Sequence, residues 1–446
     1  MVSTQKQANI AIVHHTGGGN LGDDAIMDVV IRNILLRWPD AKITAFSMNP
    51  GDTGKRHGIP SYPIRRHTWS IGYKSGGNPT AGTKHGLSNW LATTRNPVIR
   101  LPRNIFRELT FLVTSFRRVR PFDMLIVSGG GQLTERSGPW GFPWAILIWV
   151  LMAKIAGVRR IFLNVGAGPL RHPLSKFFVR RSLYAANYVS FRDAPSQALA
   201  RQIGFKGKSH VFPDNAYSLE VNLPKISADT RHRPVIGLAP MPWPFCDPRE
   251  YASENLQALY DDYIAKFASF AASLVSYSCS LELFGSDAGA DPAAIEDLRR
   301  VLREKHNIDT PPYEPIDSVD QLLARMAAMD YVVTCRFHGV VLAHILNRPV
   351  LAISHHPKVA DLMGALGLAQ YCVDIRTFDP DRLADTFVSL VDHTREVRSS
   401  MDASLAVYRA QAAAQFDKLF PPVRREVRPA QIPASHGSAI AGRGRA

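Results

Sequence analysis

The sequence predicts an α/β protein of two doubly wound domains, each a parallel sheet covered by helices, with the two facing a cleft. Three observations carry this. The chain has 446 residues, too many for one ordinary domain. Strand-sized apolar runs alternate with helical stretches twice over, once on each side of a polar, proline-marked segment at 222–234. Several of those runs end directly in glycine-rich or charged turns, which is where open α/β sheets bind ligands.

The first domain is expected over 1–221. A buried strand at 8–13 leads through a glycine-rich turn into a helix at 23–37, and a strand at 42–46 completes the opening β-α-β unit. After a basic segment the alternation resumes: strand 123–127, helix 142–156, strand 160–165, helix 173–185, strand 188–191, helix 195–203, strand 210–212. The linker is 222–234. The second domain, 235–378, reads as strand 235–239, helix 254–277, strand 281–284, helices 292–305 and 319–328, strand 331–334, helix 339–346 and strand 349–353. A helical signal at 379–420 is placed to return across the first domain. The tail 421–446, rich in Pro, Ala, Gly and Arg, is expected to be disordered.

Hydrophobic residues make up 46% and charged residues 20% of the chain, a globular balance that excludes wholesale disorder. Four cysteines, Cys246, Cys279, Cys335 and Cys372, show neither a disulfide framework nor zinc spacing. The N-terminus has no charged stretch followed by an apolar run, so the expected compartment is the cytoplasm. The apolar run from Trp140 to Ala153 is too short to span a bilayer. The net charge of +15 is concentrated: every charged residue between Gly54 and Arg120 is Lys or Arg except Glu108. Trp69, Tyr73, Trp90, Phe106, Phe111 and Phe116 are interleaved with these charges. That mix suits an anionic membrane surface and also nucleic-acid stacking, and it equally describes a solvated basic insertion with a mobile loop near 74–84.

The candidate chemistry lies in the loops. In HHTGGGNLGDDAI, Gly18, Gly19 and Asn20 offer backbone amides to a polar ligand. Asp23 and Asp24 are either helix caps or acid–base groups. The spacing is neither the dinucleotide fingerprint nor a P-loop. A second loop, SGGGQL, adds Gly130 and Gly131 to a binding floor suited to a hydroxyl-rich molecule, and NVGAGPL adds a third glycine turn. In SFRD, Arg192 stands at a strand end, where it can grip a carboxylate or phosphate or simply pair with Asp193. In TCRFHG, Arg336 and His338 join a cation to a titratable imidazole, an arrangement for anion binding beside proton transfer. In SHHPKV, Lys358 is a phosphate or substrate contact. The pair His355–His356 lacks a third metal ligand. No nucleophile elbow, metal triad or kinase signature is present.

Taken together, GGGNLGDDAI, SGGGQL, SFRD, CRFHG and HPKV resemble the polysaccharide pyruvyl transferase family, over about residues 8–374. The resemblance implies a glycosyltransferase-B-like fold and transfer of a pyruvyl group from phosphoenolpyruvate to a sugar of a polysaccharide or lipid-linked precursor. The product is a cyclic ketal, with phosphate released. It implies Arg192 and Arg336 as donor-binding residues, His338 as general acid and Lys358 as a further donor contact. Asp23 or Asp24 would act on the acceptor hydroxyl. No metal or cofactor, and no nucleic-acid partner, is expected. The family often has Asp-Pro where this chain has Asp214 and Asn215, which leaves the role of Asp214 open. Two alternatives remain: a nucleotide-sugar-dependent glycosyltransferase of the same architecture, and a non-catalytic membrane-associated scaffold of polysaccharide assembly. The basic segment, about 54–120, carries none of these motifs and is the candidate for peripheral docking at the inner face of the membrane.

Overall fold

The computed structural model describes residues 7–66, 97–135, 138–221, 233–245 and 254–421. The expected mobile loop at 74–84, the linker to residue 232 and the tail from 422 lie outside these residues.

The first sheet contains seven parallel strands: β1 (Asn9–Val13), β2 (Lys42–Ser47), β3 (Ser61–Pro63), β4 (Met124–Ser128), β5 (Arg159–Val165), β6 (Tyr188–Phe191) and β7 (His210–Val211). Their order is β3-β2-β1-β4-β5-β6-β7, so the chain reverses its direction of winding between β1 and β4, at the centre. Helices α1 (Leu21–Arg37) and α2 (Pro50–His57) connect the strands of one half. Helices α3 (Pro97–Val119), α4 (Phe142–Ile155), α5 (Pro173–Tyr184) and α6 (Ala194–Gln202) connect the other. The strands are apolar on both sides because both faces are covered. Ile10, Ile12 and Ile126 face α1, whereas Ala11, Val13 and Val127 face α4 and its neighbours.

Part of the basic segment proves to be core architecture. Residues 50–63 form α2 and the edge strand β3, and 97–119 form α3. The density of charge conceals these elements in the sequence, yet each has local reasons to form. Asn49 accepts from the Asp52 amide as N-cap of α2, and Arg118 lies over the Tyr62 ring at 4.2 Å, fastening α3 to β3.

The second sheet has five parallel strands: β8 (Val235–Ala239), β9 (Ser280–Leu283), β10 (Tyr331–Thr334), β11 (Val350–Ser354) and β12 (Cys372–Asp374), in the order β12-β11-β10-β8-β9. Between them run α7 (Leu256–Ser276), α8 (Asp291–His306), α9 (Val319–Ala327), α10 (Phe337–Ile345) and α11 (Pro357–Ala365). Helix α12 (Pro380–Asp392) packs on the second domain. Helix α13 (Thr394–Leu419) runs back to the first sheet, where Phe416, Leu419 and Phe420 complete the core under α1. Arg37 donates to Asp417 there at 2.8 Å.

The two domains meet across a shared core. Leu21, Ala25 and Ile26 at the start of α1 belong to the hydrophobic cluster of the second domain. The Leu21 amide donates to the Ser286 carbonyl at 2.9 Å and the Ala288 amide to the Gly19 carbonyl at 2.8 Å. The carboxyl ends of both sheets thereby converge on the first turn of α1.

Candidate active site

The site is assembled from strand ends. His14 and His15 follow β1, Gly129–Gly131 follow β4, Arg192 follows β6, Arg336–His338 follow β10 and His355–Lys358 follow β11. His338 is one point of contact between the domains. It lies against Gly22, and a β-carbon at position 22 would stand 2.1 Å from His338 Cγ. Only glycine leaves that space. The imidazole is 7% exposed and its Nε2 has no hydrogen-bond partner. Burial lowers its pKa and the positive charges of Arg192 and Lys358 act in the same direction, while Asp23 and Asp214 oppose them. A buried imidazole with one nitrogen unsatisfied is costly to the fold.

Arg192 comes from the first domain and crosses to the second: its guanidinium stacks over the Phe337 ring at 4.0 Å, one residue before His338. It also pairs with Asp214 at 3.3 Å and with Asp193 at 3.2 Å. The local Arg192–Asp193 contact and the cleft position are therefore both realised. Asp214 pairs with Arg192 and accepts from the Ala216 amide at 3.0 Å. Asn215 accepts from Asn164 at 2.7 Å, and Asn164 in turn exchanges hydrogen bonds with Gln415. A proline side chain at 215 has no atom for this buried network.

Arg336 is turned toward Asp291 and Asp287. It donates to Asp291 and lies 3.5 Å from Asp287. Burial raises the Asp291 pKa more than Arg336 lowers it. The sequence shows no sign of these counter-ions because they sit 45 and 49 residues upstream of Arg336, at the start of α8. Lys358 stands close enough for its charge to depress His338, His355 and His356. His356 is the N-cap of α11 and accepts from the Lys358 amide at 3.2 Å, while His355 Nδ1 meets the Cys335 carbonyl oxygen at 2.9 Å. Both rings are thus engaged locally. Among the described residues no group of His, Cys, Asp and Glu is arranged to hold a metal ion.

The two aspartates of the first loop separate. Asp23 is 2.8 Å from His15 Nε2. Burial pushes its pKa up, but His15, with help from His338 and His14, outweighs this and holds the carboxyl well below the usual range. Asp24 turns to the other side, with His57 and Arg56 at 3.6 and 3.7 Å. These distances are too long for good hydrogen bonds, so burial dominates and its pKa rises. Asp24 thus faces α2, whereas Asp23 faces His15 and Gly130. Sequence reasoning passed over His14 and His15, although their position immediately after the first strand was a usable signal. The two rings stack at 4.8 Å, and His14 is fully buried with both nitrogens unpartnered, its pKa driven well down by burial.

The expected binding floor is only partly open. Gly19 is pressed against the Gly289 backbone, and the Asn20 side chain caps α1 by accepting from the Gly22 amide at 3.1 Å. This loop is committed to the domain contact, and Gly18 lies within it. Gly130, at φ 66°, allows Asp23 and His15 to approach, because a β-carbon there would lie 3.0 Å from Asp23 Oδ1. Gly131 borders open space.

The family model for polysaccharide pyruvyl transferase matches residues 20–357, most of the chain, including the turns carrying Asp23, Arg192, Arg336 and His338. The chain belongs to the polysaccharide pyruvyl transferase family. It is accordingly a transferase of polysaccharide biosynthesis. Solved structures similar to it include a UDP-N-acetylglucosamine 2-epimerase of Listeria monocytogenes described as putative (TM-score 0.56, 12% identity, 92% of this chain and 94% of that one). The Neisseria meningitidis UDP-GlcNAc 2-epimerase bound to UDP-GlcNAc is also similar (TM-score 0.53, 12% identity, 92% and 99%). So is a spinosyn rhamnosyltransferase complexed with thymidine diphosphate (TM-score 0.50, 12% identity, 93% and 100%). At such identities the likeness concerns the glycosyltransferase-B-like fold alone. No curated protein matches the chain.

Proposed function

We propose that this pyruvyl transferase takes its pyruvyl group from phosphoenolpyruvate and places it as a cyclic ketal on a sugar of a polysaccharide or lipid-linked precursor. The observation that carries the reading is the seating of His338, buried and unsatisfied at Nε2 against Gly22, within one ring of Arg192 and near Lys358. In this scheme the donor's phosphate and carboxylate lie among Arg192, Lys358 and Arg336. Arg192 is stacked in place, whereas Arg336 turns part of its charge from Asp291 and Asp287 toward the donor. An anionic donor raises the pKa of His338, so the imidazole arrives protonated and gives its proton to the methylene carbon. C2 becomes electrophilic and the first sugar hydroxyl adds, losing its proton. Phosphate then leaves with the electrons of its C–O bond, and the second hydroxyl closes the ring as its proton passes to solvent or phosphate. Asp23, held ionised beside His15, orients the acceptor hydroxyl, whose proton passes to phosphate or solvent. None of the protein's steps needs a group beyond these side chains.

The test is to incubate the protein with phosphoenolpyruvate and an oligosaccharide acceptor, and to measure phosphate release together with the pyruvyl mass increment on the glycan. Both are expected. Release of a nucleotide from a sugar donor, with no use of phosphoenolpyruvate, would overturn the reading in favour of a glycosyltransferase. Turnover undiminished in a folded His338→Ala protein would remove His338 from the chemistry.

A further inference from the structure

We infer that the outer face of the α3–α4–α5 layer docks on an anionic lipid surface. These three helices lie side by side over one face of the first sheet, sharing its core. Their sequences contain a single acidic residue, Glu108, and that one is paired with Arg66 at 3.2 Å. The packed side of α3 is defined by buried Ser115 and Val119 and by Arg118 over Tyr62. The opposite side presents Ile105, Phe106, Leu109 and Val113 to solvent, with Phe106 71% exposed. These positions fall on one helical stripe. Helix α4 adds Leu151 and Ile155, the latter 76% exposed, and α5 adds Leu174 and Phe177. These eight, with Tyr184 on α5, are nine of the nineteen large apolar side chains exposed among the described residues. Exposed Arg107, Arg117, Lys154, Lys176 and Arg181 stand between them.

Scattered exposed apolar residues need no explanation, but a concentrated set ringed by one sign of charge does. Basic helices with a large apolar stripe lie in the plane of a membrane interface, apolar tips among the acyl chains and arginines at the headgroups. A face whose one carboxylate is paired with an arginine is complementary to anionic lipid. No helix among the described residues is long and apolar enough to cross a bilayer, so contact along the surface is the mode that fits. The attribution does not depend on the donor, and it moves the contact away from the basic segment as a whole: 50–63 belong to the sheet, while α4 and α5 join α3.

The experiment is sedimentation of the full chain with vesicles of phosphatidylcholine alone and of an equimolar phosphatidylcholine–phosphatidylglycerol mixture, across about 0.05 to 0.5 M salt. The expected result is binding to the mixed vesicles that weakens with salt. Partition should fall at least about ten-fold in a Phe106→Glu/Leu109→Glu variant, with phosphate release on a soluble acceptor and the thermal melt unchanged. An Arg107→Glu/Arg117→Glu variant should lose the preference for the anionic mixture. Equal binding to both vesicle types, wild-type binding by the glutamate variant, or preference for RNA over vesicles in competition would each overturn the inference.

Discussion

At the scale of single residues, the site separates groups that look equivalent in the sequence. Asp23 and Asp24 are adjacent, yet one is held ionised by His15 and the other is raised by burial beside His57. His338 carries the sharpest expectation. Its pKa is lowered in the free protein, so kcat/KM should fall as pH rises through a value below the ordinary imidazole range. kcat should persist to higher pH, because bound anion restores the proton. His338→Gln should abolish that limb and lower turnover by roughly 10²–10⁴-fold, read by phosphate release with a thermal melt as control. Arg192→Ala should weaken phosphoenolpyruvate binding by about 1.5–3 kcal/mol, measured calorimetrically, and unchanged affinity would remove it from the donor site. His57 provides a stability test. Burial alone would lower its pKa, but Asp28 at 2.6 Å and Asp24 outweigh it and raise it to about 9. That stabilisation is complete below the unfolded value and is lost as pH rises through about 9. Melting temperature should therefore decline between neutrality and that pH, and His57→Gln should flatten the decline.

At the scale of elements, most strands and helices were legible because the apolar runs are long and end in punctuation. The Tyr188–Phe191, Val235–Ala239 and Tyr331–Thr334 strands lie where the pattern places them. What was not legible is pairing between distant elements. Asp287 and Asp291 neutralise Arg336 from another strand–helix turn, and Asn20 serves a helix cap and a domain contact. Elements α2, β3 and α3 were obscured because their surfaces are basic whereas their packed sides are short. The contact between Gly22 on α1 and His338 on α10 yields a direct prediction. Gly22→Ala improves helix propensity but places a methyl group inside the imidazole, so the ring or the domain contact must move. Overpacking of this kind costs about 1–3 kcal/mol. The expected outcome is a folded protein whose kcat falls more steeply than its donor affinity; wild-type turnover would show that the seat of His338 is not needed for the reaction.

At the scale of the whole molecule, α13 makes the architecture more than two domains in series. The chain leaves the first domain after residue 221, builds the second, and then returns its last helix to the first. Phe416, fully buried under α1 and approached by Arg37 at 5.6 Å, is central to that return. Phe416→Ala should cost about 3–5 kcal/mol, and urea denaturation should register it as a loss in the first domain although the residue lies near the end of the chain. A loss confined to the second domain would contradict this.

The return of α13 also bears on the order in which the protein can be made. Domains emerging from a ribosome ordinarily fold in sequence, the N-terminal one first. Here the first domain has its seven strands early but lacks Phe416, Leu419 and Phe420, the apolar residues that close the core beneath α1. The domain synthesised first is therefore the one completed last. Until translation has passed residue 420, the apolar ground those side chains will cover stays open on the nascent chain.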